Sequence, residues 1–286
     1  MDLDKLDTAI IQELRVRLLT LEEHLHGDVI FYYGQIADGI LRIFRDFIEN
    51  MAASDLKKDS LYFFLNTPGG SVEVAERMVD IIRRYYNKIY FVVPDGVYSA
   101  GTILCMSGDK IFMDYSSFLG PIDPQVFNGE QWVPALGYLD KVDEMICKSK
   151  NGTLTNAEFL MLQNQDLALL RRYEQAQDLT RTLLQNWLVD FKFRDWETHS
   201  SSGEEVTIEE KRKRAEEIAN QLGDNKLWHS HYRMISSKVL QETIKLKIDD
   251  YSCDETLRPM IRGYNDMLTG YIGRLGYQFY LHSRMI

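Results

Sequence analysis

The sequence predicts an α/β fold with a parallel β-sheet in its first half and mostly helices in its second. Short β-rich runs at Leu61–Leu65 and Ile89–Val93 are each followed by a helical pattern, which is typical of βαβ units. Both junctions carry small residues, Asn66-Thr67-Pro68-Gly69-Gly70-Ser71 at the first and Tyr98-Ser99-Ala100-Gly101-Thr102 at the second. Because the carboxyl ends of parallel strands lie at one edge of a sheet, the two junctions are expected to meet there.

Hydrophobic periodicity predicts the other elements of the first half. Leucines and isoleucines recur at helical spacing from Leu6 to Leu25, so an amphipathic helix opens the chain. A helical run also begins near Pro134, after the segment Gly120–Gln131. Between them the sequence predicts, in order, a strand at Val29–Tyr33, a helix at Ile40–Met51, the strand Leu61–Leu65, a helix with its apolar face between Ala75 and Tyr86, the strand Ile89–Val93, a short buried helix at Ala100–Ser107 and a strand at Lys110–Met113.

The second half is predicted to be helical from its capping signals. Thr155-x-x-Glu158 favours a long helix that runs to about Trp187, and Thr207-x-x-Glu210 favours a helix that ends near Gly223. Ser252-x-x-Glu255 predicts a last helix, and the polar stretch His199–Glu205 predicts a loop. We therefore divide the chain into an N-terminal helix (1–27), an α/β core (28–150) and a helical extension (151–286) that completes or flanks the core.

Composition argues against several classes of function. The formal net charge of −10 disfavours nucleic acid or an anionic membrane as a partner. No apolar run approaches the ~20 residues of a membrane helix, and the first residues are acidic rather than basic. Three cysteines without metal-ligand spacing indicate neither a disulfide framework nor a zinc site. We expect a cytoplasmic protein that needs no metal or other cofactor.

The two junctions suggest acyl-transfer chemistry. Glycines such as Gly69 and Gly70 let backbone N–H groups approach a substrate oxygen. Ser99, between a strand and a helix, can present its hydroxyl while the N–H of Ala100 faces the same oxygen. A serine in that position is more often only a helix N-cap, so spacing alone leaves both interpretations open.

These motifs resemble the Clp protease/crotonase superfamily, and within it the signal peptide peptidase A-like serine peptidases. The chain is most similar to the branch called serine dehydrogenase proteinases. Further matching residues are Met113-Asp114 and Leu119-Gly120-Pro121-Ile122-Asp123-Pro124-Gln125, with a weaker match near Trp228. Two residues depart from the pattern, Tyr98 in place of a small residue and Tyr232 in place of a glycine.

The resemblance implies a Clp/crotonase-type βαβ spiral core and a serine endopeptidase that forms an acyl-enzyme intermediate. It makes Ser99 the nucleophile and assigns the oxyanion hole to the N–H groups of Gly70 and Ala100. The substrate would be a peptide or an unfolded protein, and the protein would be a homo-oligomer. Residues expected beside the substrate are Gly69, Ser71 and Pro121.

The general base is the least defined part of the predicted site. Clp peptidases carry a histidine after the nucleophile, but Gly120–Gln125 contains none. The peptidase A-like group uses a lysine, and Lys141, 42 residues after Ser99, is the best positional match. Lys141 could instead be a solvated helix residue. Lys148 and Lys150 are weaker alternatives, because Ser149, Asn151 and Gly152 suggest a loop there. A histidine near Trp228, His229 or His231, could also complete a Ser-His arrangement across the fold, although a structural role is the more common one.

Two other functions fit the same predicted fold. A crotonase-type acyl-CoA enzyme would use the paired N–H groups for a thioester enolate, but it needs no nucleophilic serine. A catalytically inactive scaffold would bind a peptide or partner without cleaving it.

Overall fold

The computed structural model describes residues 5–127, 132–199 and 202–285. Its strands, in chain order, are β1 (Asp28–Gly34), β2 (Ser60–Asn66), β3 (Lys88–Val93), β4 (Gly96–Val97), β5 (Lys110–Met113), β6 (Phe118–Leu119), β7 (Gln125–Phe127), β8 (Trp132–Pro134), β9 (Ile235–Ser236), β10 (Asp249–Asp250) and β11 (Phe279–His282). Its helices are α1 (Lys5–Leu25), α2 (Leu41–Ala52), α3 (Val72–Tyr85), α4 (Ala100–Met106), α5 (Ala135–Lys150), α6 (Asn156–Gln163), α7 (Leu167–Trp187), α8 (Ile208–Leu222), α9 (Asn225–Trp228), α10 (Ser237–Glu242) and α11 (Leu257–Leu275).

A six-stranded sheet with the order β10-β5-β3-β2-β1-β11 lies at the centre of the fold. All neighbouring strands are parallel except β1 and β11, which are antiparallel. The register places Ile30, Phe63 and Phe91 side by side across three adjacent strands. The α/β fold with a predominantly parallel sheet is therefore confirmed, and both edge strands come from the second half of the chain.

The sheet is buried on both faces because its strands alternate apolar side chains between two cores. One core contains Phe63 and Phe91, whose rings stack at 5.3 Å, under helices that include α2, α3, α4 and α7. The other contains Phe31 and Phe64, whose ring edges meet Tyr264 of α11. The apolar face of α1 packs in this second core, so the helix that opens the chain covers the sheet of its own chain.

Two smaller sheets and the α4 helix position the candidate site. The strands β4, β6 and β9 form a three-stranded sheet, with β4 and β6 parallel, and β7 pairs with β8 as a hairpin. Since β4 ends at Val97, with only Tyr98 between it and Ser99, and β6 ends directly before Gly120, this small sheet joins the two segments. In the part of the chain that the structure describes, no helix is long and apolar enough to cross a membrane.

The predicted elements of the first half are confirmed, whereas two predictions in the second half are wrong. The helix expected over 155–187 is broken between α6 and α7, because the Asp166 carboxylate accepts hydrogen bonds from the N–H groups of Ala168 and Leu169 and starts a new helix. The last helix begins at Leu257 rather than near Ser252, and Asp254 accepts from its first N–H groups. Within the predicted loop His199–Glu205, Ser200 and Ser201 lie outside the described residues.

Candidate active site

The first junction is a glycine turn that requires the absence of side chains. Gly69 and Gly70 have φ angles of +98° and +148°. A Cβ atom on Gly70 would lie 2.0 Å from the carbonyl oxygen of Ile36. The Ile36 N–H donates to the Gly69 oxygen, and the Ser71 N–H donates to the Ile36 oxygen, each at 2.9 Å. The turn is therefore held against residue 36 by backbone alone.

Ser99 occupies a strained position between β4 and α4. Its φ of +50° and ψ of −118° are rare for a residue with a side chain. Its hydroxyl makes no capping hydrogen bond to α4, so the ordinary N-cap role does not explain it. Gly101 allows close packing of the helix start, since a Cβ there would lie 2.3 Å from the Thr67 methyl group. A strained strand-to-helix turn that exposes a serine hydroxyl is the geometry of a nucleophile elbow.

The structure brings the two junctions together, as the sequence predicts. The Tyr98 N–H donates to the Thr67 oxygen at 3.1 Å, and a Cβ on Gly69 would lie 2.9 Å from the Ser99 Cβ. Among the described residues, neither the Gly70 N–H nor the Ala100 N–H has a hydrogen-bond acceptor. Gly70 is exposed, whereas Ala100 is buried.

A histidine that lines the same cavity as Ser99 is paired with a buried carboxylate, Asp123, which lines a neighbouring cavity. The His231 Nδ1 atom is 2.9 Å from Asp123 Oδ1, and the two side chains are 12% and 3% exposed. The Gln125 amide donates to the other oxygen, Oδ2, at 2.8 Å. A carboxylate held in this way fixes the ring orientation and the proton position of the imidazole, and it leaves Nε2 as the free nitrogen.

Ser99 and His231 line one cavity of about 550 Å³. Gly70 and Ser71 lie at its wall, and the Ser71 hydroxyl also caps α3 by accepting from the Val74 N–H. Gly69, Ala100 and Pro121 are buried and are not among the residues that line this cavity. Apolar residues form much of the remaining wall, among them Val72, Ile103, Ile122 and Leu179. The cavity can therefore hold an extended apolar group beside the Ser99 hydroxyl.

The predicted lysines lie elsewhere. Lys141 is on α5 with its side chain 56% exposed, and its amine donates to Glu144 at 2.8 Å. It lines a neighbouring cavity of about 420 Å³, together with His229 and His231, but is not among the residues that line the Ser99 cavity. Hydrogen bonds to Glu144 and Glu158 raise the pKa of Lys148, which opposes a role as base. Lys150 is exposed at the end of α5.

The two departures from the expected motif pattern are in contact with each other. The rings of Tyr98 and Tyr232 lie 6.3 Å apart, edge to face, and Tyr98 also meets Phe118 at 5.1 Å. Gly120 accommodates Tyr98, because a Cβ on Gly120 would lie 2.8 Å from the tyrosine ring. The Tyr98 side chain is therefore packed between neighbouring elements, and Tyr98 and Tyr232 both line the Ser99 cavity.

Sequence reasoning missed Asp123 as a functional candidate. It lies within the Leu119–Gln125 segment, but 108 positions separate it from His231 in the chain, and only the fold pairs them. The signal available was an acidic residue between two apolar or proline neighbours, which is unusual for an exposed loop. Among residues 5–127, 132–199 and 202–285, no three His, Cys, Asp or Glu side chains are grouped so as to hold a metal ion.

Comparison with known proteins places these features in a family. Residues 25–195 match the sequence model of a family described as ClpP-like SDH-type serine proteinases. Two uncharacterized proteins of Methanocaldococcus jannaschii are 33% identical over 70 residues and 29% identical over 62 residues. These alignments span only 24% and 21% of the relatives' own lengths.

Two solved structures of a membrane-bound stomatin-specific protease, both of variants, share a more distant likeness. They have 12% and 14% sequence identity and TM-scores of 0.42 and 0.43, and the second is in complex with a substrate peptide. Each comparison covers 78% of this chain, and 76% and 72% of the solved chains, respectively.

Proposed function

Because the chain belongs to the family of ClpP-like SDH-type serine proteinases, we propose that it is a serine endopeptidase with Ser99 as its nucleophile. The observation that carries this proposal is the position of Ser99, which has a strained backbone, an uncapped hydroxyl and a cavity in common with His231. A serine hydroxyl needs a base to become an effective nucleophile, and an oriented imidazole is the usual one.

In the proposed first step, His231 Nε2 takes the proton of the Ser99 hydroxyl while Ser99 Oγ attacks the peptide carbonyl carbon. The carbonyl oxygen becomes an oxyanion that accepts hydrogen bonds from the N–H groups of Gly70 and Ala100. The Asp123 carboxylate stabilises the imidazolium formed on His231 and keeps its ring in place.

In the proposed second step, the intermediate collapses and His231 gives its proton to the leaving amine, so that an acyl-enzyme on Ser99 remains. Water then loses a proton to His231 and attacks the ester carbonyl carbon. The C–O bond to Ser99 breaks, and its oxygen recovers the proton. This sequence needs no metal or other cofactor.

A Ser-Lys dyad with Lys141 is the second candidate for the base, as the sequence resemblance predicts. It would require the Lys141 amine to leave Glu144 and enter the Ser99 cavity, or a lysine from a neighbouring subunit to do so. His231 is favoured, because the cavity that Ser99 lines already contains it and because Asp123 orients it.

We further propose that the substrate is a peptide or unfolded protein held in extended form across the cavity, and that the protein works as a homo-oligomer in the cytoplasm. Pro68 and Gly70 of the glycine turn are exposed, which supports binding of a peptide by strand addition. All three cysteines are free, which supports a reducing compartment.

Labelling with a fluorophosphonate probe tests the proposal, because only an activated serine reacts. We expect stoichiometric labelling at Ser99 that is absent in Ser99→Ala. The matched control is Ser149→Ala, which removes an exposed hydroxyl from α5, outside the Ser99 cavity, and should leave labelling intact. An unlabelled wild-type protein would favour the inactive scaffold, and binding of an acyl-CoA thioester without labelling would favour the crotonase-type enzyme.

A further inference from the structure

A further cavity, of about 490 Å³, lies away from Ser99, beside the amino end of β5. We call it the lysine cavity and define it by six of its lining residues, Lys192, Lys245, Lys247, Asp249, Phe193 and Trp196. None of these residues lines the Ser99 cavity. The proposed peptidase mechanism uses none of them.

The lysine cavity is lined by more basic than acidic residues. Among the described residues, no carboxylate pairs with Lys192, Lys245 or Lys247 within ion-pair distance. Asp109 and Asp195, which also line the cavity, already have cationic partners: Asp109 is 2.9 Å from an Arg83 nitrogen, and Asp195 is 3.6 Å from the Lys88 amine. A cavity lined by more basic than acidic residues favours an anionic ligand.

Asp249 supplies a hydrogen-bond acceptor at the same place. Its Oδ1 atom lies 3.6 Å from the Lys110 amine, whereas its Oδ2 atom is buried and has no hydrogen-bond partner among the described residues. A buried carboxylate oxygen without a hydrogen-bond partner destabilises the folded protein. A ligand that donates a hydrogen bond to this oxygen removes that penalty and therefore binds more tightly. A ligand for this cavity should therefore carry a hydroxyl group as well as an anionic group.

Aromatic residues form part of the wall. The rings of Phe193 and Trp196 meet edge to face at 5.5 Å, and Trp196 is only partly buried. A flat ring of a ligand can stack on such a wall, as aromatic side chains do with nucleobases.

We propose that the lysine cavity binds a small phosphorylated ligand of the nucleoside monophosphate class. The phosphate would lie among Lys192, Lys245 and Lys247, a sugar hydroxyl would donate to Asp249, and the base would pack on Trp196. The cavity volume is within the range of small-molecule sites.

The protonation of Lys192 fits this role. Burial lowers the pKa of its amine to about 8, with the charges of Lys247 and Lys110 acting in the same direction and that of Asp249 opposing them. A bound phosphate restores the charged form, so binding near pH 8 should be accompanied by proton uptake.

Isothermal titration with adenosine 5′-monophosphate tests the proposal on the full chain. We expect the wild-type protein to bind it at least 10-fold more tightly than adenosine or inorganic phosphate. Lys192→Met should weaken binding at least 10-fold. The control Lys238→Met, at an exposed lysine of α10 outside the cavity, should stay within twofold of wild type. Thermal unfolding of both variants verifies that they are folded.

Three results would overturn the proposal. The first is no binding of adenosine 5′-monophosphate up to millimolar concentration by the wild-type protein. The second is equal weakening by Lys192→Met and Lys238→Met, which would mean that only net charge matters. The third is equal affinity for inorganic phosphate and the nucleotide, which would leave no role for Asp249 and Trp196.

Discussion

Replacing Asp123 with asparagine is expected to lower turnover strongly while leaving the fold intact. Asp123 accepts two hydrogen bonds, one on each oxygen: the Gln125 amide donates at 2.8 Å, and His231 Nδ1 lies at 2.9 Å. Asparagine has the same shape but only one acceptor oxygen. If that oxygen faces Gln125, the new NH₂ group faces His231, and the imidazole must carry its proton on Nε2. That tautomer cannot take a proton from Ser99.

The size of the effect follows from which hydrogen bond is lost. The wrong tautomer costs about 10⁴-fold in kcat in a serine protease triad, or roughly 5.5 kcal/mol of transition-state stabilisation. If Gln125 rotates its amide instead, the tautomer is kept and only the bond to a charged group is lost. Such a bond is worth about 1.5–3 kcal/mol, which corresponds to roughly 10- to 150-fold in rate. We therefore expect a loss between about 10-fold and 10⁴-fold.

The assay is steady-state hydrolysis of an unstructured, internally quenched peptide substrate. The matched control is Asp140→Asn, the same substitution on α5, where the carboxylate forms a surface ion pair with Lys226 at 2.9 Å. Asp140→Asn should leave kcat within about twofold, as exposed pairs contribute little. A folded Asp123→Asn variant that also keeps kcat within about twofold of wild type would refute the role given to Asp123 and His231.

Three further outcomes are expected. Gly70→Ala should lower the free energy of unfolding by roughly 3 kcal/mol or more, because its Cβ would meet the Ile36 backbone. The control Gly39→Ala, with no atom within 4 Å of the new Cβ, should be nearly neutral. Equal urea midpoints for the two variants would contradict this. Burial lowers the pKa of His282 to about 4, so the unfolded chain binds a proton between pH 6.5 and 4 that the folded chain does not, and stability falls as the pH falls through that window. Between pH 7.5 and pH 5, this group should lower the free energy of unfolding by about 2 kcal/mol. Urea unfolding of His282→Gln should show a pH dependence smaller by that amount, and an unchanged pH dependence would contradict this. Sedimentation at micromolar concentration should find a homo-oligomer, and a monomer alone would count against the proposed assembly.

The sequence predicted the sheet and the glycine turn because local signals specify them. The apolar run Leu61–Leu65 followed by Pro68-Gly69-Gly70 determines a buried strand and a turn without reference to the rest of the chain. The break in the 155–187 helix was missed because the Asp166 cap competes with a continuous helical pattern, and periodicity does not weigh that competition.

The pairing at the candidate site was beyond sequence patterns. Asp123 and His231 are brought together by strands β6 and β9, each only two residues long, which pair across more than 100 positions. Such short strands carry almost no hydrophobic periodicity. For the same reason the two-residue strand β10, which places Asp249 at the lysine cavity, had no signal in the sequence.

A comparison of His231→Ala with Lys141→Ala, by kcat/KM for one peptide substrate, tests the central claim most directly. His231→Ala should lose about as much activity as Ser99→Ala, at least about 10³-fold, because residues that act as one unit are not additive. Lys141→Ala should stay within about threefold of wild type, since its exposed amine pairs with Glu144 outside the Ser99 cavity. The opposite pattern, an inactive Lys141→Ala beside an active His231→Ala, would contradict the Ser-His-Asp assignment and establish the lysine as the base.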